Sequence, residues 1–229
     1  MRADPVGQIR RRRRRKGALT REQIIQAAVE ISTEEGPGAV TFRALGSRVG
    51  VVASALYRHF ADKNDLMLAL ADQVLTEVAG QFHAGGDWES DLRQLVALTR
   101  DTARRHAYTV AWLGHRDTGG PGGRAVALIA LRLLLEAGLT PEQAHRHFVL
   151  LRDMVMGTLT AEAMRESLDP DTRRRDDRAL AALCTRIARD EPRLAGLPVL
   201  VVVAAREDYH DLQLALHLDA IHATSRGNG

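Results

Sequence analysis

Apolar residues recur at spacings of three and four along most of this chain, and capping residues, glycines and prolines cut the pattern into helices. Ile24, Ala27, Ala28 and Ile31 form the first such row. Thr20 and Gln23 precede it as a capping-box pair: the hydroxyl accepts an N–H of the first turn while the amide reaches back. Gly36-Pro37-Gly38 ends it. Thr41 caps a second, short helix through Leu45 and Val49, closed by Gly50. A third covers about Ala53 to Phe60. Asp62 caps a fourth, which carries Leu66, Leu70 and Val74 and runs to near Gly85-Gly86. Asp87 caps a fifth, with Leu92, Leu95, Val96 and Leu98 on its apolar side. The stretch "TGGPGG" (118–123) reads as a mobile connector. Helices follow at about 124–137, 141–167 and 172–190, the second with Thr140 as cap and Pro141 at its first position. A last helix spans about 209–223. The run "PVLVVV" (198–203) has strand propensity but no partner strand, so it reads as a buried irregular or helical segment. The fold class is all-α, without an internal repeat.

Two short helices joined at a glycine make a helix-turn-helix, whose second helix enters the DNA major groove and reads base edges with its first residues. Ala53, Ser54 and Ala55 are small enough to let that helix approach the bases. Tyr57, Arg58, His59 and Lys63 supply donors to phosphates and base edges. Leu56 and Phe60, four apart, pack inward.

Charge strengthens this picture. Residues 1–16 carry eight basic groups against one acid, while the other 213 residues carry 24 basic and 28 acidic groups. A basic arm on a mildly acidic body suits a polyanion, and its contribution falls with salt. No apolar run approaches the length of a membrane span, and no apolar segment of a secretory signal follows the charged start. The single cysteine, Cys184, allows no intrachain disulfide and no cysteine-based metal cluster. A cytoplasmic protein is expected. Arginine outnumbers lysine 30 to 2, as in GC-rich bacterial genomes.

The order of residues says more. The stretch from Leu19 to Leu70 resembles the DNA-binding domain of the tetracycline-repressor (TetR) family. It has the Ala27-Ala28 pair before Glu35-Gly36, then Thr41 to Leu45, then Gly50-Val51, and finally "LYRHF" (56–60) with Lys63 and Leu66. The resemblance implies a homodimer of all-helical chains, each with an N-terminal DNA-binding head and a C-terminal body that binds a small molecule. Most members repress transcription and leave their operator when ligand binds. On this reading, residues 1–17 are a disordered basic arm, 18–65 the helix-turn-helix domain, and 66–229 the ligand-binding and dimerisation body. Double-stranded operator DNA, an effector and a second copy of the chain are the expected partners, with no membrane.

Carried over by position, the resemblance implies that Thr41, Tyr57, His59 and Lys63 bind phosphates. Arg43 reaches a base or phosphate, and Ala53, Ser54 and Ala55 face base edges. Two positions depart from the family. Gly46 stands where alanine is usual, at a cost of roughly 1 kcal/mol of helix stability. Val52 stands where a capping residue is usual, at about the same cost. These departures imply a head that is loose when free and tightens on DNA.

The body is also similar to the family at 87–108, 131–159 and 210–223. The family's dimer-forming helices correspond to 141–167 and the last helix. Leu214, Leu218 and Ile221 on one, and Phe148, Leu151, Val155 and Leu159 on the other, are candidates for that seam or for an intrachain core. The family's ligand position implies His106, Trp112, His115, His147, Met154 and Met156 as pocket candidates. Arg116 and Arg152 could meet an anionic ligand or lie on the surface. "GHRDTGGPGG" (114–123) is similar to the tetracycline-binding branch, but Gly122 replaces its histidine and Ala161 its glutamate, with Glu162 one residue off. Metal–tetracycline binding is therefore not expected, nor is any other metal or cofactor. His145 and His147, two apart on a helix, point to different sides. No nucleophile elbow is present, and no histidine lies near Cys184 in sequence, so an enzyme is not expected. The rival reading is a DNA-binding protein with an architectural role and no effector.

Overall fold

The computed structural model describes residues 19–35, 37–106, 109, 113, 116–194 and 207–228. Nine helices are laid out among them: α1 (Arg21–Glu35), α2 (Phe42–Val49), α3 (Ala53–Leu56), α4 (Lys63–Gln81), α5 (Trp88–Arg105), α6 (Pro121–Glu136), α7 (Pro141–Ser167), α8 (Pro170–Asp190) and α9 (Glu207–Arg226). No strand occurs among the described residues. The arm at 1–17 and the apolar run at 198–203 lie outside them.

Helices begin where the sequence supplies an acceptor for their unpaired N–H groups. Thr20 and Gln23 exchange the two capping-box bonds at 3.2 and 3.1 Å. Thr41, Asp62 and Asp87 each accept from the first turn of α2, α4 and α5. Thr140 and Gln143 form a complete capping box on α7, with Pro141 in its first turn. Some boundaries differ from the sequence expectation. α3 stops at Leu56, and residues 57–59 form a turn. α4 stops at Gln81, before the glycine pair. α6 starts at Pro121, so only the first half of "TGGPGG" is loop.

Two apolar clusters form. Ile24, Ile31, Leu45, Leu56, Phe60 and Leu66 belong to one, built by α1 to α4. Val78, Leu92, Leu134, Leu151, Leu218 and Ile221 belong to the other, built by α4, α5, α6, α7 and α9. α4 contributes to both: Leu66, Met67 and Leu70 lie in the first cluster and Val78 in the second. One continuous helix therefore ties the head to the body. α8 has no buried side chain. Asp177 on α8 holds Arg165 on α7 at 2.8 Å.

α7 and α9 run antiparallel and are zipped by polar pairs. Gln143 meets Asn228, His147 Nε2 lies 3.1 Å from the Thr224 hydroxyl, the Thr158 hydroxyl lies 3.0 Å from Gln213, and Glu162 lies 2.6 Å from His210 Nε2. Each step along one helix is matched by a similar step back along the other, so a register slip would unpair every rung at once. The His147 ring also meets His217 edge-on, with centroids 5.3 Å apart. His147 Nδ1 and His217 Nε2 are buried with no hydrogen-bond partner. Burial holds both imidazoles below the usual histidine range, and for His217 the neighbouring His147 adds to it. A histidine held low binds protons less readily folded than unfolded. Its stabilisation is whole above the unfolded value, about 6.5, and falls as pH drops below it. The melting temperature should therefore fall between pH 7 and 5.5 in circular-dichroism melts, and His217→Gln should flatten that slope.

Candidate nucleic-acid interface and adjoining cavity

The head presents one polar edge. Thr41 ends in extended backbone, and its Oγ1 accepts from Ala44 N–H at 3.1 Å, leaving the hydroxyl proton free to donate outward. Gly50 closes α2 at φ 74°, the left-handed conformation glycine adopts without strain. The turn then folds back so closely that a Cβ on Gly46 would sit 2.7 Å from the Val51 carbonyl oxygen. Beside its propensity cost, Gly46 therefore has a packing role: its missing side chain lets α2 meet the turn before α3. Val52 does lack a side-chain cap bond, and it is 71% exposed.

Beyond the turn, Ser54 is exposed and Ala53 and Ala55 are half-buried. Leu56 and Phe60 are buried, as expected. The Tyr57 ring stacks on Phe42 with centroids 4.6 Å apart, which fixes where its exposed hydroxyl lies. Arg43, Arg58 and Lys63 are exposed, and His59 is half-buried.

The cations of the head divide into two groups. Arg48 is surrounded by Glu30, Glu34 and Glu35 at 3.5, 2.7 and 3.4 Å. Arg21 bonds Asp65 at 2.7 Å, donates to the His59 carbonyl and covers the Phe60 ring at 4.1 Å. The Arg21 guanidinium holds the Asp65 carboxyl below its ordinary range. These two arginines brace the head. Arg43, Arg58 and Lys63, in contrast, have no carboxylate within ion-pair reach among the described residues. Sequence reading missed the brace, because 44 residues separate Arg21 from Asp65.

A cavity of about 310 Å³ lies in the body. Leu95, Val96, Leu113, Phe148, Val155 and Met156 are among its walls, and charged residues such as Arg116, Asp117, Arg124 and Arg152 line it as well. Of the sequence-predicted pocket residues, Met156 lines it. His106 lies instead 3.5 Å from Glu77 at the end of α5, His147 faces α9, and Met154 packs against the body cluster. Trp112 and His115 lie outside the described residues.

The seam candidates are also relocated. Leu151, Val155, Leu159, Leu214, Leu218 and Ile221 are all buried within the single chain, and Phe148 packs against the same cluster. Phe148, Leu151 and Val155 line the cavity. These residues form the intrachain core rather than an outer seam. Their helices show Leu150, Leu212 and Leu216 to the outside, 59%, 52% and 61% exposed. Glu162 faces His210 and Arg104 rather than the cavity. Among the described residues, no three metal-ligating side chains converge, and no helix is long and apolar enough to cross a membrane.

Asp72 joins the cavity to the head. This α4 carboxylate is buried and accepts from Thr118 Oγ1 at 2.8 Å, Gly122 N–H at 3.1 Å and Gly123 N–H at 2.9 Å. α6 has no side-chain cap of its own; Asp72 supplies one from another helix. A Cβ on Gly122 would collide with the Asp72 carbonyl and with Thr76, so glycine there permits direct contact between α6 and α4. The expected mobile connector is therefore an anchored joint. Beside it, Arg116 donates to Asn64 in the first turn of α4 at 2.8 Å.

The family described as "Bacterial regulatory proteins, tetR family" matches residues 24–70, the helix-turn-helix and its flanking helices. The tetracycline repressor protein class C of Escherichia coli is 30% identical over 175 residues, covering 72% of this chain and 75% of that protein. The chain belongs to the TetR family of bacterial transcriptional regulators. An HTH-type transcriptional regulator of Saccharopolyspora erythraea is 28% identical over 183 residues, 80% of this chain and 76% of the relative. ActR of Streptomyces coelicolor, solved in complex with actinorhodin, superposes with a TM-score of 0.73 at 23% identity, covering 90% of this chain and 97% of that one. At that identity, the likeness to ActR speaks for the fold.

Two expectations follow for this TetR-family head and joint. Gly46→Ala gains helix propensity but drives a methyl into backbone, for a net loss of about 1 kcal/mol. Val52→Ser adds the missing cap and gains about as much. Thermal melts of the two variants should move in opposite directions. Asp72→Ala leaves α6 uncapped and three donors unpaired, and should cost about 3 kcal/mol by chemical denaturation.

Proposed function

We propose that this TetR-family regulator is a repressor that binds a palindromic operator as a dimer and is released when a small molecule fills the cavity. The observation that carries this reading is the α4 joint. Lys63 and Asn64 open α4 at the head, and Asp72, two turns on, caps the helix that begins at the cavity. A ligand that moves the 116–120 loop thus pulls on the helix that positions the head.

On the DNA side, Thr41, Tyr57, His59 and Lys63 take phosphates, Arg43 and Arg58 reach phosphates or bases, and Ala53, Ser54 and Ala55 face base edges. The three cations without acidic partners support these roles, because nothing within the head competes for them. The exposed row of Leu150, Leu212 and Leu216 is the surface we assign to the second subunit. The protein acts in the cytoplasm as a regulator and not as an enzyme.

The test is binding to duplexes that flank its own coding region, at two salt concentrations, with and without residues 1–16. Protection of one palindrome is expected. Lys63→Ala should weaken binding to every sequence alike and lower the salt slope by about 1. Similar affinity for most duplexes would overturn the reading in favour of an architectural role.

A further inference from the structure

We propose that the effector is an anionic amphiphile: an apolar, ring-sized body that fills the cavity and an acid group held at its mouth by Arg124. The inference rests on the reading of this cavity as the effector site.

The interior sets the body of the ligand. Away from the mouth, the polar side chain among the described lining residues is Thr99, whose hydroxyl donates to the Leu95 carbonyl at 2.7 Å. The remaining wall there is aliphatic or aromatic. A ligand placing polar groups against it would lose their hydration with nothing in return. The volume, about 310 Å³, is at the small end of ligand pockets.

The mouth sets the charge. Three guanidinium groups, Arg116, Arg124 and Arg152, line it with two carboxylates, Asp117 and Asp153. Their engagements are unequal. Arg152 bonds Asp153 through both Nε and Nη2, at 2.9 and 2.8 Å, so that pair neutralises itself. Arg116 is engaged with Asn64. Asp117 accepts from the Gly119 N–H at 3.0 Å, and Asp72 behind it is spent on α6 and Thr118. Arg124, in the first turn of α6, has no ion pair or side-chain hydrogen bond among the described residues. It is the donor group at the mouth left for a ligand, and it matches an oxyanion. A cationic ligand would meet three guanidiniums against two carboxylates, one of which, Asp153, is already paired with Arg152. Arg116 and Arg152, the sequence candidates for an anion, are thus replaced in that role by Arg124.

Two dyes with the same aromatic body test this on the full-length chain: 8-anilino-1-naphthalenesulfonate, an anion, and uncharged N-phenyl-1-naphthylamine. Fluorescence titration should show both binding. Arg124→Gln, an exposed substitution, should weaken the sulfonate about tenfold and leave the neutral dye within about twofold. Equal loss of both dyes, or no loss of the sulfonate, overturns the assignment of an anionic ligand. Ala127→Phe fills the cavity and separates the two levels. If it excludes both dyes while Arg124→Gln does not discriminate, the cavity stands and the charge assignment falls. If both dyes bind it as they bind the native chain, the cavity reading itself falls. Retained helical signal and duplex binding certify the fold of Ala127→Phe, and the Arg124→Gln result decides the charge assignment without it.

Discussion

One buried carboxylate organises the centre of this molecule. Asp72 sits inside α4, where an unpaired charge would be costly, and is satisfied by the first-turn N–H groups of another helix and by Thr118. The arrangement solves two problems with one residue. α6 begins with proline and glycines, which bring no capping side chain of their own, and the glycines let the α6 backbone approach α4 closely enough for Asp72 to reach. The negative charge also lies at the positive end of the α6 dipole. Neither helix start nor carboxylate is stable alone in the position it occupies.

That joint gives the two halves of the chain a mechanical relation. The head is a small cluster braced by Arg21 and closed by a turn with no spare volume at Gly46. The body is a larger cluster with a cavity against α5, α6 and α7. α4 enters both, and the Arg116–Asn64 bond adds a second tie near its first turn. Because packed helices shift as units rather than bend continuously, a change at the cavity mouth has few routes other than α4.

Polar residues buried between helices specify the arrangement as well as stabilise it. The α7–α9 rungs fix the register of two long helices whose apolar rows alone would tolerate a slip of one turn. They also turn the outward faces, with Leu150, Leu212 and Leu216, away from the core. Head cations follow the same division: those that meet acids hold the fold, and those left over, Arg43, Arg58 and Lys63, are exposed on its surface.

Much of this was legible in the sequence. Helix starts were marked by local acceptors at Thr20, Thr41, Asp62, Asp87 and Thr140, and capping is a matter of three or four residues along the chain. The inward row of the head was marked by spacing, and its family by the order from Ala27 to Leu66. Local periodicity could not say which apolar row of α7 and α9 faces inward, because both helices carry leucines on two sides. It could not see that the glycines at 120–123 make room for a helix, since the helix they accommodate lies about 50 residues earlier. Nor could it choose among Arg116, Arg124 and Arg152, whose availability depends on Asn64 and Asp153 standing beside two of them. Sequence determined the elements and the family of the head, because those rest on neighbours in the chain. Tertiary structure decided burial, the trans cap and the free charge, because those rest on neighbours in space.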